Sequence, residues 1–180
     1  MTRSHSIDRL RRLIFLTIYG VLMYLSQLLL AALPNIHMVA MLITVVTVVY
    51  RKWALIPIYV YAFLNGMYGI YVLLPYLYIW TLLWAIIMIL PRSMPDKIAV
   101  PVYAIICGLH GMLFGLLYAP AQALLFGFSL EQTIAWIFAG LPYDLLHCAG
   151  NVVFSLLSVP LIKLLVRLEY VSSSVGSKKS

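Results

Sequence analysis

The sequence predicts an all-α membrane protein with six transmembrane helices and both termini on the cytoplasmic side. Three observations lead there. Of the 180 residues, 64% are hydrophobic, against roughly 45–50% in an ordinary soluble domain, so a soluble fold would lack polar surface. Several apolar stretches approach the roughly 20 residues that cross a hydrocarbon core, and a helix satisfies its own backbone groups in lipid. Finally, the twelve lysines and arginines fall in short blocks at the edges of apolar runs. They are Arg3, Arg9, Arg11 and Arg12; Arg51 and Lys52; Arg92 and Lys97; and Lys163, Arg167, Lys178 and Lys179. A nucleic-acid surface would instead cluster such residues with aromatics on one face, so the net charge of +7 reads as a topology signal.

Residues 1–12 form a basic N-terminus. The apolar run behind it resembles a signal peptide but continues without a convincing cleavage site, so it reads as an uncleaved first helix from about Leu13 to Ala32. The second segment, about His37 to Tyr50, is short and bounded by Arg51 and Lys52. The third covers about Trp53 to Val72. A tight turn at "LLPY" leads into the fourth, Tyr76 to Leu90, and "PRSMPDK" is a loop whose two prolines cannot continue a helix. The fifth runs from about Ile98 to Tyr118. "APAQALLFGFSLEQT" then reads as a longer connection, with Ser129 and Gln132 at capping-box spacing where a helix restarts. The sixth runs from about Pro142 to Leu168. Residues 13–168 thus make one membrane domain, and the cytoplasmic tail 169–180, with "SSSVGSKKS", predicts disorder. With six crossings all twelve basic residues lie on the terminal side, which the positive-inside rule makes cytoplasmic.

Cys107 and Cys148 lie in apolar context with no CxxC spacing and read as buried free thiols. Of the five acidic residues, Asp8, Asp96 and Glu169 sit among the cytoplasmic basic blocks. Glu131 and Asp144 belong to the outer half, where no lysine or arginine is available to neutralise them.

The stretch "GLPYDLLHCAGN" holds the most distinctive polar pattern. At about 100° per residue, Asp144, His147 and Asn151 (i, i+3, i+7) project within an arc of roughly 60°. Polar groups in a membrane helix face protein or water, so this stripe faces inward. It is either the polar wall of a cavity open to the outside or hydrogen-bonding glue between helices. Asn35 and His37 occupy the first outer loop. Tyr68, Tyr71, Tyr76, Tyr78 and Trp80 cluster at the second outer turn, with Trp84 one turn below. They are either interfacial anchors or a grip for a flat ligand. His110 is followed by Gly111 and Gly115, a GxxxG-like packing feature, and is itself either a satisfied interior group or a ligand contact; Gln27 and Asn65 are similar. No HExxH, GxSxG, CxxC or phosphate-cradling glycine loop is present, so no metal or cofactor is expected and the chain carries no ATPase. A small membrane enzyme using Asp144, His147 and His110 is the alternative to a binding subunit.

"GLPYDLLHCAGN" followed by "VVFSLLSVPLIKLL" resembles the last helix of the S components of energy-coupling-factor (ECF) vitamin transporters. "LPNIHMVAMLITVVTVVYRKWALIPIYV" is similar to their first outer loop and second helix, and "LPYLYIWTLLWAI" to their fourth. The resemblance implies a six-helix substrate-binding subunit of an ABC-type transporter in a prokaryotic plasma membrane. It implies capture of a vitamin from outside, docking on a transmembrane scaffold subunit driven by two cytoplasmic ATPases, and inward release. It places Asp144, His147 and Asn151 on a cavity wall and Asn35 and His37 near its gate; Tyr76, Tyr78, Trp80, Trp84 and His110 are the further binding candidates. Cobalamin is the vitamin the overall pattern matches best; pantothenate, pyridoxine-like and folate-like compounds are the alternatives. The family's AxxxA pattern in the first helix is missing here, and Thr17 and Gly20 are the small residues left for scaffold docking.

Overall fold

The computed structural model describes residues 2–177, with side chains over 6–169. The described residues form eight α-helices joined by short turns: α1 (Thr2–Leu29), α2 (Val39–Tyr50), α3 (Leu55–Gly66), α4 (Ile70–Ile89), α5 (Asp96–Met112), α6 (Phe114–Phe126), α7 (Leu130–Ser155) and α8 (Ser158–Ser177). All their regular structure is helical, as the sequence predicts. Among them five stretches are long and apolar enough to cross a membrane: Ser6–Leu29, Val39–Gly66, Ile70–Ile89, Asp96–Phe126 and Leu130–Ser155.

The second of these stretches is folded back on itself. His37, just before α2, lines the same cavity as Asn65 and Tyr68 from the end of α3. The residues midway, Tyr50 and Arg51, lie at the other end of the fold. The Tyr50 hydroxyl donates to Glu169 of α8, and the Arg51 guanidinium donates to the Met88 and Leu90 carbonyls at the end of α4. A straight helix over 39–66 would hold its ends roughly 40 Å apart at 1.5 Å per residue. The reversal is made at Arg51, whose φ of 54° enters a region costly for a residue with a Cβ, and by the 3₁₀ turn Arg51–Ala54. Trp84 Nε1 donates to the Arg51 carbonyl at 3.1 Å and pins the turn.

Ten of the 12 residues of α2 are buried. A helix apolar on every side belongs inside a protein, and α2 is the axis around which the others pack. Its shortness therefore carries no lipid mismatch. Glycine sets the closest approaches. A Cβ on Gly20 would stand 2.7 Å from the Pro57 carbonyl oxygen and from Val60, so α1 lies directly on α3. Along α5, a Cβ on Gly111 would stand 2.7 Å from Asn151 Nδ2 and 2.9 Å from the His147 backbone, so α7 packs directly on the bare backbone of α5 there.

Several boundaries differ from expectation, mostly because proline was read as a breaker. "LLPY" is helical, and the turn into α4 lies at Met67–Gly69, with Gly69 at φ 134°. Pro75 sits inside α4 and cannot donate to the Tyr71 carbonyl; the Tyr118 hydroxyl (2.8 Å) and Gln122 Nε2 (3.0 Å) donate to it instead. Neighbours that satisfy a freed carbonyl are what make proline tolerable in a membrane helix. The expected long connection after Tyr118 is the continuation of α6, with Pro120 inside it, and only 127–129 are non-helical. Gly127, at φ 68°, ends α6. Ser129 then opens α7 with the expected capping box: Gln132 N donates to Ser129 Oγ at 3.2 Å and Ser129 N to Gln132 Oε1 at 2.8 Å. The last segment thus begins at Leu130 rather than Pro142. In the tail, where composition predicts disorder, α8 runs on to Ser177; residues 178–180 lie outside the described residues.

Candidate functional site

The polar stripe of α7 faces inward. Asp144, His147 and Asn151 are 3%, 1% and 1% exposed. Their surroundings differ. The Asp144 carboxylate accepts the Gly115 amide with both oxygens, at 3.0 and 3.1 Å. Gly115 has no room for a side chain because that carboxylate lies against it. Asn151 Nδ2 donates to the Cys107 carbonyl at 3.0 Å. Both residues therefore seal α7 onto α5 and α6, and neither is on the lining of the cavity that His147 borders.

The cavity holds about 340 Å³ and lies between the ends of α1 and α3, the 30–37 loop, α4, α6 and α7. His37, Tyr76, Phe114 and His147 make its aromatic floor, Gln27 and Asn65 its polar side, and Asn35, Pro34 and Tyr68 its rim. No Asp, Glu, Lys or Arg is among the described residues that line it. The His37 and His147 rings are 4.7 Å apart, centroid to centroid, and edge-on; Phe114 lies 4.8 Å from His147 on its other side. Gln27 is fixed by the Tyr61 hydroxyl, which donates to its Oε1, and its Nε2 donates to Asn65 Oδ1 at 3.2 Å. Asn65 Nδ2 returns to the Tyr61 carbonyl at 2.9 Å.

Against this ordered wall the histidines are incompletely bonded, as is Oδ1 of Asn151 on the packing face of α7. Both ring nitrogens of His147 and Nδ1 of His37 are buried with no hydrogen-bond partner. Buried polar groups are nearly always partnered, and an orphan needs a reason. Burial pushes the imidazole of His37, which lies in the loop outside the membrane-spanning stretches, down to about 4, so it meets the cavity as a neutral ring with donor and acceptor capacity.

The remaining candidates are distributed by depth. Trp80 is fully buried beneath the cavity, its ring 6.0 Å from His37 and 5.2 Å from His110, with Nε1 unpartnered. His110 Nε2 is within 3.1 Å of the Ile79 carbonyl and its Nδ1 is unpartnered. It supports the floor through Trp80 and is not among the lining residues. The Tyr78 hydroxyl donates to the Leu117 carbonyl at 2.6 Å, tying α4 to α6 away from the cavity. Trp84 is at the opposite end of the fold beside Arg51. Of the small residues on α1, Gly20 is buried against α3 and cannot receive a partner helix. Thr17 is exposed and donates to its own Leu13 carbonyl at 2.9 Å.

Sequence reasoning missed one aromatic lining residue, Phe114, and the buried Tyr61 behind the wall, whose hydroxyl fixes Gln27. Both look like generic apolar-run aromatics, and only the packing of α3 and α6 gives them a place. Cys107, buried, and Cys148, half-buried, are free thiols. Among the described residues no three His, Cys, Asp or Glu side chains are grouped to hold a metal ion, and with both His147 nitrogens unpartnered no hydrogen bond joins that ring to Asp144. No family model, curated protein or solved structure matches the chain.

Proposed function

We propose that the chain is a substrate-binding membrane subunit of the ECF S-component type, taking a small uncharged heteroaromatic nutrient into the cavity between His37 and His147. The observation that carries this is an aromatic cavity without Asp, Glu, Lys or Arg on its lining, bordered by His37 and His147, whose Nδ1 (His37) and two ring nitrogens (His147) lie buried behind its wall without protein partners. A flat ligand with ring nitrogens or hydroxyls would complete those bonds once the imidazoles turn toward it, while stacking on Tyr76 and Phe114. The topology is six crossings with both termini cytoplasmic. Support comes from the reversal at Arg51, and from the twelve basic residues all falling on one side of such a path. A scaffold subunit and two ATPases would supply the energy, since the sequence has no nucleotide-binding loop of its own.

The cavity also ranks the vitamins. A corrinoid with its nucleotide arm is several times larger than about 340 Å³. Pantothenate and folate carry carboxylates that would find no cation on the lining residues, and an unpaired charge is costly to bury. A pyridoxine-like compound meets both limits and is the proposed class. The runner-up, a membrane enzyme built on Asp144, His147 and His110, has less to stand on, because the Asp144 carboxylate is turned to the Gly115 amide.

The test is a panel of vitamins added to purified protein in detergent, read as melting temperature. A ligand in excess over its Kd raises stability by RT ln(1 + [L]/Kd), about 2.7 kcal/mol at a hundredfold excess. A pyridoxine-class compound should raise the melting temperature. If none of the panel does, the binding-subunit reading fails; if cobalamin alone does, the cavity geometry has been misread.

A further inference from the structure

At the other end of the molecule a second cavity, about 680 Å³, is lined by Arg12 of α1, Arg51 and Lys52 of the turn, Arg92 of the 90–95 loop and a single carboxylate, Glu169. Glu169 accepts the Tyr50 hydroxyl. The ion pair recorded at this end is Lys163 with Asp96, so Arg12, Lys52 and Arg92 form none among the described residues. Basic residues at helix ends are ordinarily a solvated topology signal. Here they converge from three separate segments on one cavity. Arg51 is moreover held in place by its bonds to the Met88 and Leu90 carbonyls and by its left-handed backbone. Apolar Val49, Met88 and Val166 and the half-buried Trp53 complete the lining, an aromatic and aliphatic wall beneath a ring of cations.

We infer that this groove binds the phosphate headgroup of an anionic membrane phospholipid, with the glycerol and upper acyl chain against Val49, Met88 and Val166. Arginine suits phosphate because its planar fork donates two parallel hydrogen bonds, and basic pockets between membrane helices on the cytoplasmic side are apt for such headgroups. The inference is independent of the outer cavity and its ligand.

The test uses full-length detergent-purified protein titrated with dioctanoyl phosphatidic acid, phosphatidylglycerol, phosphatidylcholine or inorganic phosphate, read as melting temperature. Phosphatidic acid and phosphatidylglycerol are expected to raise it, whereas phosphatidylcholine and inorganic phosphate are not. The double variant Lys52→Gln/Arg92→Gln, both at exposed positions, should weaken the apparent affinity about 30-fold, taking ~1 kcal/mol per surface cation. Arg11→Gln removes a charge outside the groove and should leave it unchanged. An equal response to phosphatidylcholine, an undiminished response in the double variant, or an equal loss in Arg11→Gln would overturn the inference. So would an equal response to inorganic phosphate, which would assign the groove to a soluble anion.

Discussion

His147 and its two stripe partners show how one periodic pattern divides between roles. Because Asp144 and Asn151 are held by the Gly115 amide and the Cys107 carbonyl, Asp144→Ala should lower stability by about 1–3 kcal/mol, the cost of orphaning a buried group, and leave ligand affinity intact. Paired melting and binding measurements on the variant check this. His37 gives a pH signature. Its imidazole is near 4 when folded and near 6.5 when unfolded, so between those values the unfolded chain binds more protons and stability rises with pH. The protein should therefore lose stability as pH falls from about 6.5 to about 4, by roughly 3 kcal/mol from this residue. His37→Gln should make that part of a melting-temperature profile less steep. The sequence made the inward face of the stripe legible, because helical spacing fixes direction. It could not say which residue meets a void, because that depends on where Gly111 of α5 and Gly115 of α6 fall. Trp84 shows the same limit: it shares a face with Trp80, but depth along α4 puts it beside Arg51.

At the scale of elements, glycine and proline carry the information. Gly111→Ala would press a methyl to 2.7–3.0 Å from Asn151 and the backbone of α7, and overpacking of that kind costs about 1–3 kcal/mol. Gly140, where a Cβ meets nothing within 4 Å, is the control. Gly140→Ala should be neutral or stabilising by up to about 1 kcal/mol through helix propensity. Melting temperatures of the two variants in the same detergent settle the contrast. The GxxxG-like spacing pointed to this contact in advance. The continuity of α6 and the early start of α7 were hidden because Pro75, Pro120 and Pro142 were weighed by their local cost, whereas for Pro75 the freed Tyr71 carbonyl is answered from α6, a tertiary effect no local pattern shows.

At the scale of the whole molecule, the chain path decides sidedness. Five stretches satisfy length and apolarity, yet the stretch over 39–66 doubles back at Arg51, so a crossing count by hydropathy alone misses one reversal. A short second segment bounded by Arg51 and Lys52 was visible in the sequence; the fold adds that α2 is buried on nearly all sides and need not span lipid itself. Single cysteines at Asn35 and Met67, with Cys107 and Cys148 replaced by serine, separate the paths. Six crossings predict that an impermeant maleimide labels both from outside intact cells, whereas five crossings would leave Asn35→Cys and Met67→Cys on opposite faces.

The cavity gives these scales a common consequence, since α7 brings His147, the first loop brings His37, and neither ring is completed by the protein. Titration calorimetry of wild-type and His147→Leu protein with a pyridoxine-class ligand tests this most directly. The account predicts a loss of affinity of about five- to 150-fold, equivalent to ~1–3 kcal/mol for a buried polar contact, with the melting temperature of the ligand-free protein unchanged or raised. Equal affinities in the two proteins would contradict it.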